Sequence, residues 1–209
     1  MALTHPHDDH LGGIIPLLDK IKVGLIIDSG EPHTSFLYQR FLETVDKKNI
    51  PFHIAHEGEE VIGFKGVKIL ILNPPLKHLS GTNSDLNSNS VVMKIVFNEV
   101  SFLFPGDIER EAEERLTRYG SKLSSKIIKV PHHGSATSIH KFFLDLVRPE
   151  VAVISCGYQN PHGHPSPRAL KIYKEMKTRF YRTDKSGAIT ITSDGRSYRI
   201  KEIRRNSEI

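Results

Sequence analysis

The sequence is poor in cysteine, tryptophan and long apolar runs. Its 209 residues include one cysteine, Cys156, and no tryptophan. A single cysteine excludes an internal disulfide. The most apolar stretch, Val67 to Leu72, contains Lys68, whereas a helix that crosses a bilayer needs about 18 to 20 apolar residues. Met1 to His5 show neither the basic nor the apolar region of a secretory signal, so the sequence as it stands favours the cytoplasm.

The charge is mildly basic, with 29 Lys and Arg against 24 Asp and Glu, a net charge of +5. This excess permits a phosphate-rich partner without identifying one. A solvated surface with a basic tail, Lys201 to Arg205, is the simpler interpretation. The glycine-rich loops that cradle phosphates in nucleotide-binding proteins are missing. Twelve histidines are more informative, because histidine is the commonest metal ligand and a frequent acid or base near neutral pH.

Short β-branched runs alternate with segments of helical spacing, which predicts a single α/β (α+β) domain over residues 1–209. The predicted strands are Val23 to Ile27, Val67 to Leu72, Ser90 to Phe97, Val100 to Phe104, Lys126 to Val130 and Val151 to Ser155. The predicted helices are Phe36 to Lys47, Ile108 to Tyr119, Ile139 to Val147 and Pro167 to Lys177. Turn residues predict antiparallel hairpins within Ser90 to Phe104 and Ala188 to Ile203. The long irregular stretch Asn73 to Asn89 is expected to border the substrate.

The first motif is a histidine cluster near the start of the sequence. Four candidate ligands, His5, His7, Asp9 and His10, lie within six residues and follow the strand-like Ala2 to Thr4. Alternate side chains of an extended backbone point the same way, so His5, His7 and Asp9 are expected to converge. A turn at Asp9 brings His10 beside them. A capped loop needs one Asp or Ser and not three histidines, so we favour a site for divalent metal ions.

The second motif is Asp107, which ends the apolar run Phe102 to Phe104 and begins a predicted helix. Taken alone, Asp107 is best explained as a helix cap, worth about 1 kcal/mol. Beside a histidine cluster, the same carboxylate is well placed to bridge two cations. The residues alone leave both interpretations open.

Histidines also follow the predicted strand Lys126 to Val130. Neighbouring side chains of an extended backbone diverge, so of the adjacent pair we expect His133 to bind metal and His132 to face the substrate. Two adjacent polar histidines at the end of a buried-looking strand are poor candidates for packing in the core.

The turn-rich segment Ser155 to Ser166 follows the predicted strand Val151 to Ser155, the third strand that is followed by candidate site residues. Its position favours an active-site role for His164 over one for His162. The cysteine in this segment, Cys156, is expected to be a buried structural thiol, because nothing in the sequence activates it.

Together these motifs resemble the metallo-β-lactamase superfamily. The segment His5 to Gly13 is similar to the HxHxDH signature of that superfamily. Other segments resemble the metallohydrolase domain of ComEC-type competence proteins and their free-standing relatives: Asn89 to Val92, Phe104 to Asp107, Lys129 to Ser135, Gly163 to Pro165, Arg182 to Asp184 and Gly187 to Ile189.

The resemblance implies an αβ/βα sandwich and a hydrolase that activates a metal-bound water with two divalent ions, zinc or manganese. It implies that His5 and His7 hold one ion, that Asp9, His10 and His133 hold the other, and that Asp107 bridges them. Many members place a further histidine ligand in the stretch that here reads Asn87 to Ser90. Asn89 is the nearest substitute, and its harder amide oxygen favours manganese over zinc.

In this family the histidine signature follows several strands of the first sheet, whereas here His5 is almost the first residue. The resemblance therefore implies an N-terminally incomplete sandwich. Exposed sheet edges invite pairing, so we expect a homo-oligomer or another partner chain to complete the sheet.

The hypothesis from the sequence is a metal-dependent phosphodiesterase, a nuclease acting on DNA, with Asp107, His132 and His164 as catalytic residues. The two histidines bind phosphate oxygens or protonate the leaving oxygen. Asn160 orients one of them, and the substrate-binding residues are Asn89, Asn160 and Ser135. Two alternatives stay open: the same chemistry on a small phosphoester or other ester, and an inactive truncated remnant that acts as a binding module.

Overall fold

A computed structural model describes residues 1–203, so Arg204 and Arg205 of the predicted basic tail lie outside the described residues. The α-helices in this range are α1 Asp8–Leu11, α2 Ile14–Leu18, α3 Phe36–Lys47, α4 Asp85–Ser88, α5 Arg110–Leu116, α6 Lys141–Val147, α7 Pro167–Glu175 and α8 Thr183–Ser186. The strands are β1 Ile26–Asp28, β2 Phe52–Ile54, β3 Glu60–Val61, β4 Lys68–Asn73, β5 Val92–Phe97, β6 Val100–Phe104, β7 Ile127–Lys129, β8 Val151–Ile154, β9 Arg179–Arg182, β10 Ala188–Ser193 and β11 Tyr198–Ile203. None of the helices described here is long and apolar enough to cross a membrane.

The centre of the fold is a seven-stranded sheet with the strand order β3-β4-β5-β6-β7-β8-β9. Strands β3 to β6 pair antiparallel, whereas β6, β7, β8 and β9 pair parallel. Each parallel connection contains a helix, α5, α6 or α7, because parallel strands need a crossover. The carboxyl ends of β6, β7 and β8 therefore meet at one edge of the sheet.

The seven-stranded sheet is covered by helices on one face and by two small sheets on the other. Leu103 of β6 belongs to the apolar cluster that includes α5, α6 and α7. On the opposite face, Val100 and Ile127 pack against the antiparallel pair β10–β11. Ile71 packs against Ile27 of the parallel pair β1–β2, whose other side is covered by α1, α2 and α3. This order of layers is the αβ/βα sandwich that the resemblance implies.

Several predicted elements were too long at their amino ends: the strand predicted from Ser90 begins at Val92, and the helix predicted from Ile139 begins at Lys141. The strand predicted from Val23 begins at Ile26. The helix predicted to begin at Ile108 begins at Arg110, because Glu109 keeps an extended backbone with φ −111° and ψ −170°. It ends at Leu116, where a 3₁₀ helix follows.

The short edge strands were not predicted from the sequence. β2 has three residues, all exposed, and β3 has two, so neither carries an apolar period long enough to recognise. β9 carries Arg179 and Arg182 at its two ends, as edge strands often do. The stretch Asn73 to Asn89, predicted to lack helices, contains α4.

The first residues lie beside β1. Ala2 forms a parallel bridge with Ile27, and the Leu3 amide donates a hydrogen bond to the Ile27 carbonyl at 2.8 Å. Preceding strands, or another chain that completes this small sheet, stay a prediction.

Candidate metal centre

Four chain segments meet at the edge where β6, β7 and β8 end. Asp107 follows β6, the histidine pair follows β7, and the segment that begins at Ser155 follows β8. The histidine cluster of the first residues reaches the same edge, because the Val91 amide donates a hydrogen bond to the Thr4 carbonyl at 2.8 Å. The parallel topology thus collects candidate ligands from distant parts of the sequence.

Asp9, His10, Asp107 and His133 form one compact group, in which the four candidate ligand atoms lie within 4.8 Å of one another. Asp107 Oδ2 lies 3.2 Å from His10 Nε2 and 3.2 Å from His133 Nε2. Asp9 Oδ2 lies 3.1 Å from His133 Nε2. Two imidazoles and two carboxylates are a donor set that suits zinc or manganese, so these residues fit a divalent ion.

The opposite nitrogens of the two imidazoles have partners of their own. His133 Nδ1 lies 2.8 Å from the Ser155 carbonyl oxygen and His10 Nδ1 lies 3.3 Å from Thr4 Oγ1. A ligating histidine usually donates its second N–H to a carbonyl or similar acceptor, which fixes the ring and leaves the other nitrogen for the metal. Both Nε2 atoms are therefore oriented as ligand atoms.

His5 and His7 form a second pair beside this group. His5 Nε2 lies 3.1 Å from His7 Nδ1, and the rings of His5 and His10 are 4.2 Å apart. Burial, reinforced by the nearby His10, lowers the pKa of His5 to about 3. Burial also lowers the pKa of His7. Both imidazoles are therefore neutral at pH 7, which is the form that binds metals.

The backbone is extended at His7 but helical at Asp9, so the predicted extended run through His5, His7 and Asp9 was wrong. His7 is the extended residue before α1, which begins at Asp8. Asp9 and His10 consequently come from a helical turn. A four-residue helix has no periodicity that a sequence pattern can reveal.

Asp107 is buried among these groups, with a side chain 3% exposed. Burial alone disfavours its ionised form, but the contacts with His10 and His133 outweigh burial and hold its pKa well below the usual range. Its second oxygen, Oδ1, is buried without a hydrogen-bond partner and lies 3.6 Å from Lys129 Nζ. A carboxylate with one oxygen in the cluster and the other unpartnered suits a bridging position.

Glycine is required at two turns around the cluster. Gly106 has φ +61°, and a Cβ there would lie 2.6 Å from the Ser90 Cβ. Gly134 has φ +86°, and a Cβ there would lie 2.6 Å from the Pro165 Cβ. These residues let the Asp107 turn approach Ser90 and let the segment with His164 approach the histidine pair.

A cavity of about 510 Å³ opens beside the cluster, and its walls include His132, His162 and His164. The rings of His132 and His164 are 5.7 Å apart. Asn160 fixes the backbone of His164: its Oδ1 accepts from the His164 amide at 2.9 Å, and its Nδ2 donates to the His164 carbonyl at 2.7 Å. The side chains of His132 and His133 have different neighbours, as expected. Their backbone is left-handed, with φ 45° and 52°, and not extended as expected.

Two predicted substrate residues lie outside the cavity wall. Asn89 is buried, accepts from the Leu79 amide at 2.9 Å and donates to Glu31 Oε1 at 2.6 Å. Ser135 Oγ lies 3.0 Å from Thr137 Oγ1 and accepts from the Thr137 amide. These contacts hold loops in place, and they give no support to metal or substrate binding by either residue.

Cys156 differs from the expectation of a buried structural thiol. It is half-buried and lines the cavity. Its thiol donates to Asp184 Oδ1 at 3.2 Å, and burial together with this contact raises its pKa. The thiol is therefore protonated and not activated as a nucleophile.

Three residues near the cluster were not singled out from the sequence. Thr4 Oγ1 lies 3.1 Å from His5 Nδ1, and Ser90 Oγ lies 3.3 Å from the same nitrogen. Ser90 Oγ also accepts from the Asp107 amide at 3.2 Å. Glu109 contacts His132. A hydroxyl next to a ligand motif is a weak signal, so only the fold identifies Thr4 and Ser90 as supports of the site.

The model of the Metallo-beta-lactamase superfamily matches residues 2–158. The chain belongs to this superfamily. ComE operon protein 3 of Bacillus subtilis (strain 168) is 28% identical over 193 residues, covering 90% of this chain and 24% of that protein. Competence protein ComA of Neisseria gonorrhoeae is 32% identical over 190 residues, covering 90% and 24%. Recombination protein 2 of Haemophilus influenzae is 28% identical over 191 residues, covering 91% and 22%.

The chain thus spans about a quarter of the length of these curated relatives. Among solved structures, a metal-dependent hydrolase from Parabacteroides distasonis aligns with a TM-score of 0.53 at 13% identity, covering 88% of this chain and 74% of that one. A mutant of the CmlA β-hydroxylase aligns with a TM-score of 0.56 at 13% identity, covering 87% and 42%. At such low identity these structures show a shared fold. Superfamily membership supports a metallohydrolase.

Proposed function

We propose that this chain is a metal-dependent phosphodiesterase that cleaves DNA with two divalent ions. The observation that carries the proposal is the position of His132 and His164 on the wall of the same cavity as Asp9, Asp107 and His133. Ligands and acid-base groups at one cavity are what phosphodiester hydrolysis requires.

Divalent ions held by the cluster would lower the pKa of a coordinated water and offset negative charge on the phosphate. The chain's own residues supply the rest. His10 and His133 are oriented by Thr4 and Ser155, as described above. His132 and His164 present imidazoles to the cavity, where they bind a phosphate oxygen or give a proton to the leaving oxygen. Asn160 holds the His164 backbone at both its N–H and its C=O.

The charge of the cavity wall makes phosphate binding dependent on the ions. The described residues that line it include three carboxylates, Asp8, Asp9 and Asp107, and neither Lys nor Arg. Without cations this wall repels a phosphodiester, and with cations it attracts one. The names of two relatives, one a competence protein and the other a recombination protein, agree with DNA as the polyanion.

The experiment is metal content by mass spectrometry together with cleavage of single- and double-stranded DNA in added Mn²⁺ or Zn²⁺. About two ions per chain and DNA cleavage that Asp107→Ala abolishes would support the proposal. A panel of small phosphoesters and other esters runs in parallel. About two ions per chain, with cleavage of a small ester but not of DNA, would identify a small ester as the substrate. Negligible metal content would overturn the proposal of a metal-dependent hydrolase.

A further inference from the structure

We propose that Glu109 is the positioning residue of His132, whose ring it holds with Nδ1 toward the protein and Nε2 toward the cavity. The inference rests on the proposed function in one respect, that His132 acts on a phosphodiester. The orientation of the ring itself is independent of any activity.

Glu109 lies directly before α5, where a negative charge is stabilised by the amino-terminal end of the helix dipole. Its backbone is extended there, but its carboxylate accepts no capping hydrogen bond from the helix. The carboxylate turns instead toward the loop after β7, and Glu109 Oε1 lies 3.2 Å from His132 Nδ1. The Glu109 carboxylate therefore makes its contacts outside its own helix.

The carboxylate of Glu109 is itself fixed from several directions. Its side chain is 4% exposed. Oε2 accepts from Asn83 Nδ2 at 2.6 Å, and Oε1 accepts from Asn87 Nδ2 at 3.2 Å and from Thr137 Oγ1 at 3.2 Å. With these donors in place, the carboxylate is a rigid acceptor for the His132 ring.

The backbone of His132 limits the ring in the same sense. His132 has φ 45° and ψ 47°, a left-handed conformation that is uncommon for residues other than glycine. Its amide donates to the Gly106 carbonyl at 3.3 Å. The turn therefore projects the ring between Glu109 and the cavity, which His132 helps to line. With Nδ1 against the carboxylate, Nε2 is left for the substrate.

In the proposed hydrolysis, a water oxygen forms the new bond to phosphorus and the bond from phosphorus to the leaving oxygen breaks. The proton on Nε2 of the His132 imidazolium passes to the leaving oxygen, and a proton from the attacking water restores the ring. Glu109 keeps the Nδ1 proton throughout as a hydrogen-bond acceptor. This arrangement requires Nδ1 to carry a proton in every charge state of the ring.

The first test reads the ring directly, by ¹⁵N–¹H NMR of the full chain with ¹⁵N-labelled histidine and Zn²⁺, assigned with His132→Gln. In the neutral ring we expect His132 to carry its proton on Nδ1, toward Glu109 Oε1. Glu109→Ala should move that proton to Nε2 in most molecules, and Glu114→Gln in the same helix should not. A wild-type ring with its proton on Nε2 would overturn the proposal.

The second test compares two phosphodiesters that differ in their leaving group. We expect Glu109→Ala and His132→Gln each to lower kcat at least about tenfold for an alkyl alcohol leaving group. For p-nitrophenolate, which leaves without a proton, the loss should be less than about threefold. Metal content should stay at the wild-type value. Equal losses on both substrates would overturn the positioning role of Glu109. A wild-type chain that cleaves neither diester would overturn the proposed function. In that case the NMR measurement alone decides whether Glu109 orients the His132 ring.

Discussion

The Nε2 atoms of His10 and His133 lie 3.2 Å apart, although 123 residues separate them in the sequence. Two neutral imidazoles cannot face each other at this distance through two lone pairs. Either a proton or a cation has to lie between the two nitrogens. In the metal-free protein, the neighbouring carboxylates supply the reason for a proton: hydrogen bonds to Asp107 and Asp9 raise the pKa of His133 to about 9.

Metal-free protein should therefore lose stability as the pH rises. The pKa of His133 is raised from its ordinary value of 6.5 to about 9, so its contribution is fully present below pH 6.5 and is lost as the pH rises through 9. We expect the free energy of unfolding to fall on the order of 2 kcal/mol across this window. Urea titrations of the chelated protein at several pH values measure it.

Two comparisons separate this effect from general alkaline destabilisation. His133→Gln should flatten the curve between pH 6.5 and 9, because glutamine has no proton to lose in this window. Added Zn²⁺ should flatten it too, because the ion takes the place of the proton. A wild-type curve that is flat without metal would contradict the protonated His133.

The ligand assignment predicts unequal losses of metal. His133→Gln removes a candidate ligand from the group formed with Asp9, His10 and Asp107, and His5→Gln removes a candidate ligand from the pair with His7. Each change should lower the metal content by about one ion per chain, whereas Asp107→Ala should lower it by more than one. Equilibrium dialysis followed by mass spectrometry gives the numbers.

His53 supplies the matched control for metal binding. Its Nε2 contacts only a surface carboxylate, that of Glu59 at 2.7 Å, within the described residues, and the histidine side chain is 48% exposed. His53→Gln should leave the metal content unchanged. Equal losses in His53→Gln and His133→Gln would show that the cluster is not the site.

The motifs predicted which segments meet, and the parallel strands explain why they do. Asp107 and His133 were identified because each follows an apolar strand, and strands that end at one edge bring such residues together. Glu109 could not be found this way, because an acid at the start of a helix is explained by the helix dipole until the structure shows that its carboxylate contacts His132. The structural role of Asn89 could not be predicted either, because its partners Leu79 and Glu31 lie on loops with no periodic pattern.

Gly134 should tolerate no side chain without a shift of the His164 segment. A Cβ at this residue would lie 2.6 Å from the Pro165 Cβ, and its φ of +86° strains any other residue. We expect Gly134→Ala to cost about 1 to 3 kcal/mol of unfolding free energy and to lower DNA cleavage at least about tenfold. The control is Gly24→Ala, because nothing lies within 4 Å of a Cβ there. Wild-type cleavage by Gly134→Ala would show that the position of His164 does not matter.

Glu113 should contribute more to stability than any exposed acid of the same helix. Its fully buried carboxylate accepts from the amides of Ile139 and His140 at 2.6 and 2.9 Å and lies 2.7 Å from His140 Nδ1. Ile139 is held there with φ 67°, which a β-branched residue rarely adopts. Glu113→Ala leaves these donors buried without a partner, so we expect a loss of about 2 to 4 kcal/mol in urea unfolding.

The control for Glu113 is Glu114→Ala, one residue away in α5. Glu114 is half-exposed and pairs with Arg110 at i,i−4, a contact worth less than about 0.5 kcal/mol. The two variants remove the same chemical group from the same helix, so their difference isolates the buried contacts with the start of α6. Equal midpoints in urea for the two variants would mean that the amides of Ile139 and His140 find other acceptors once the carboxylate is gone.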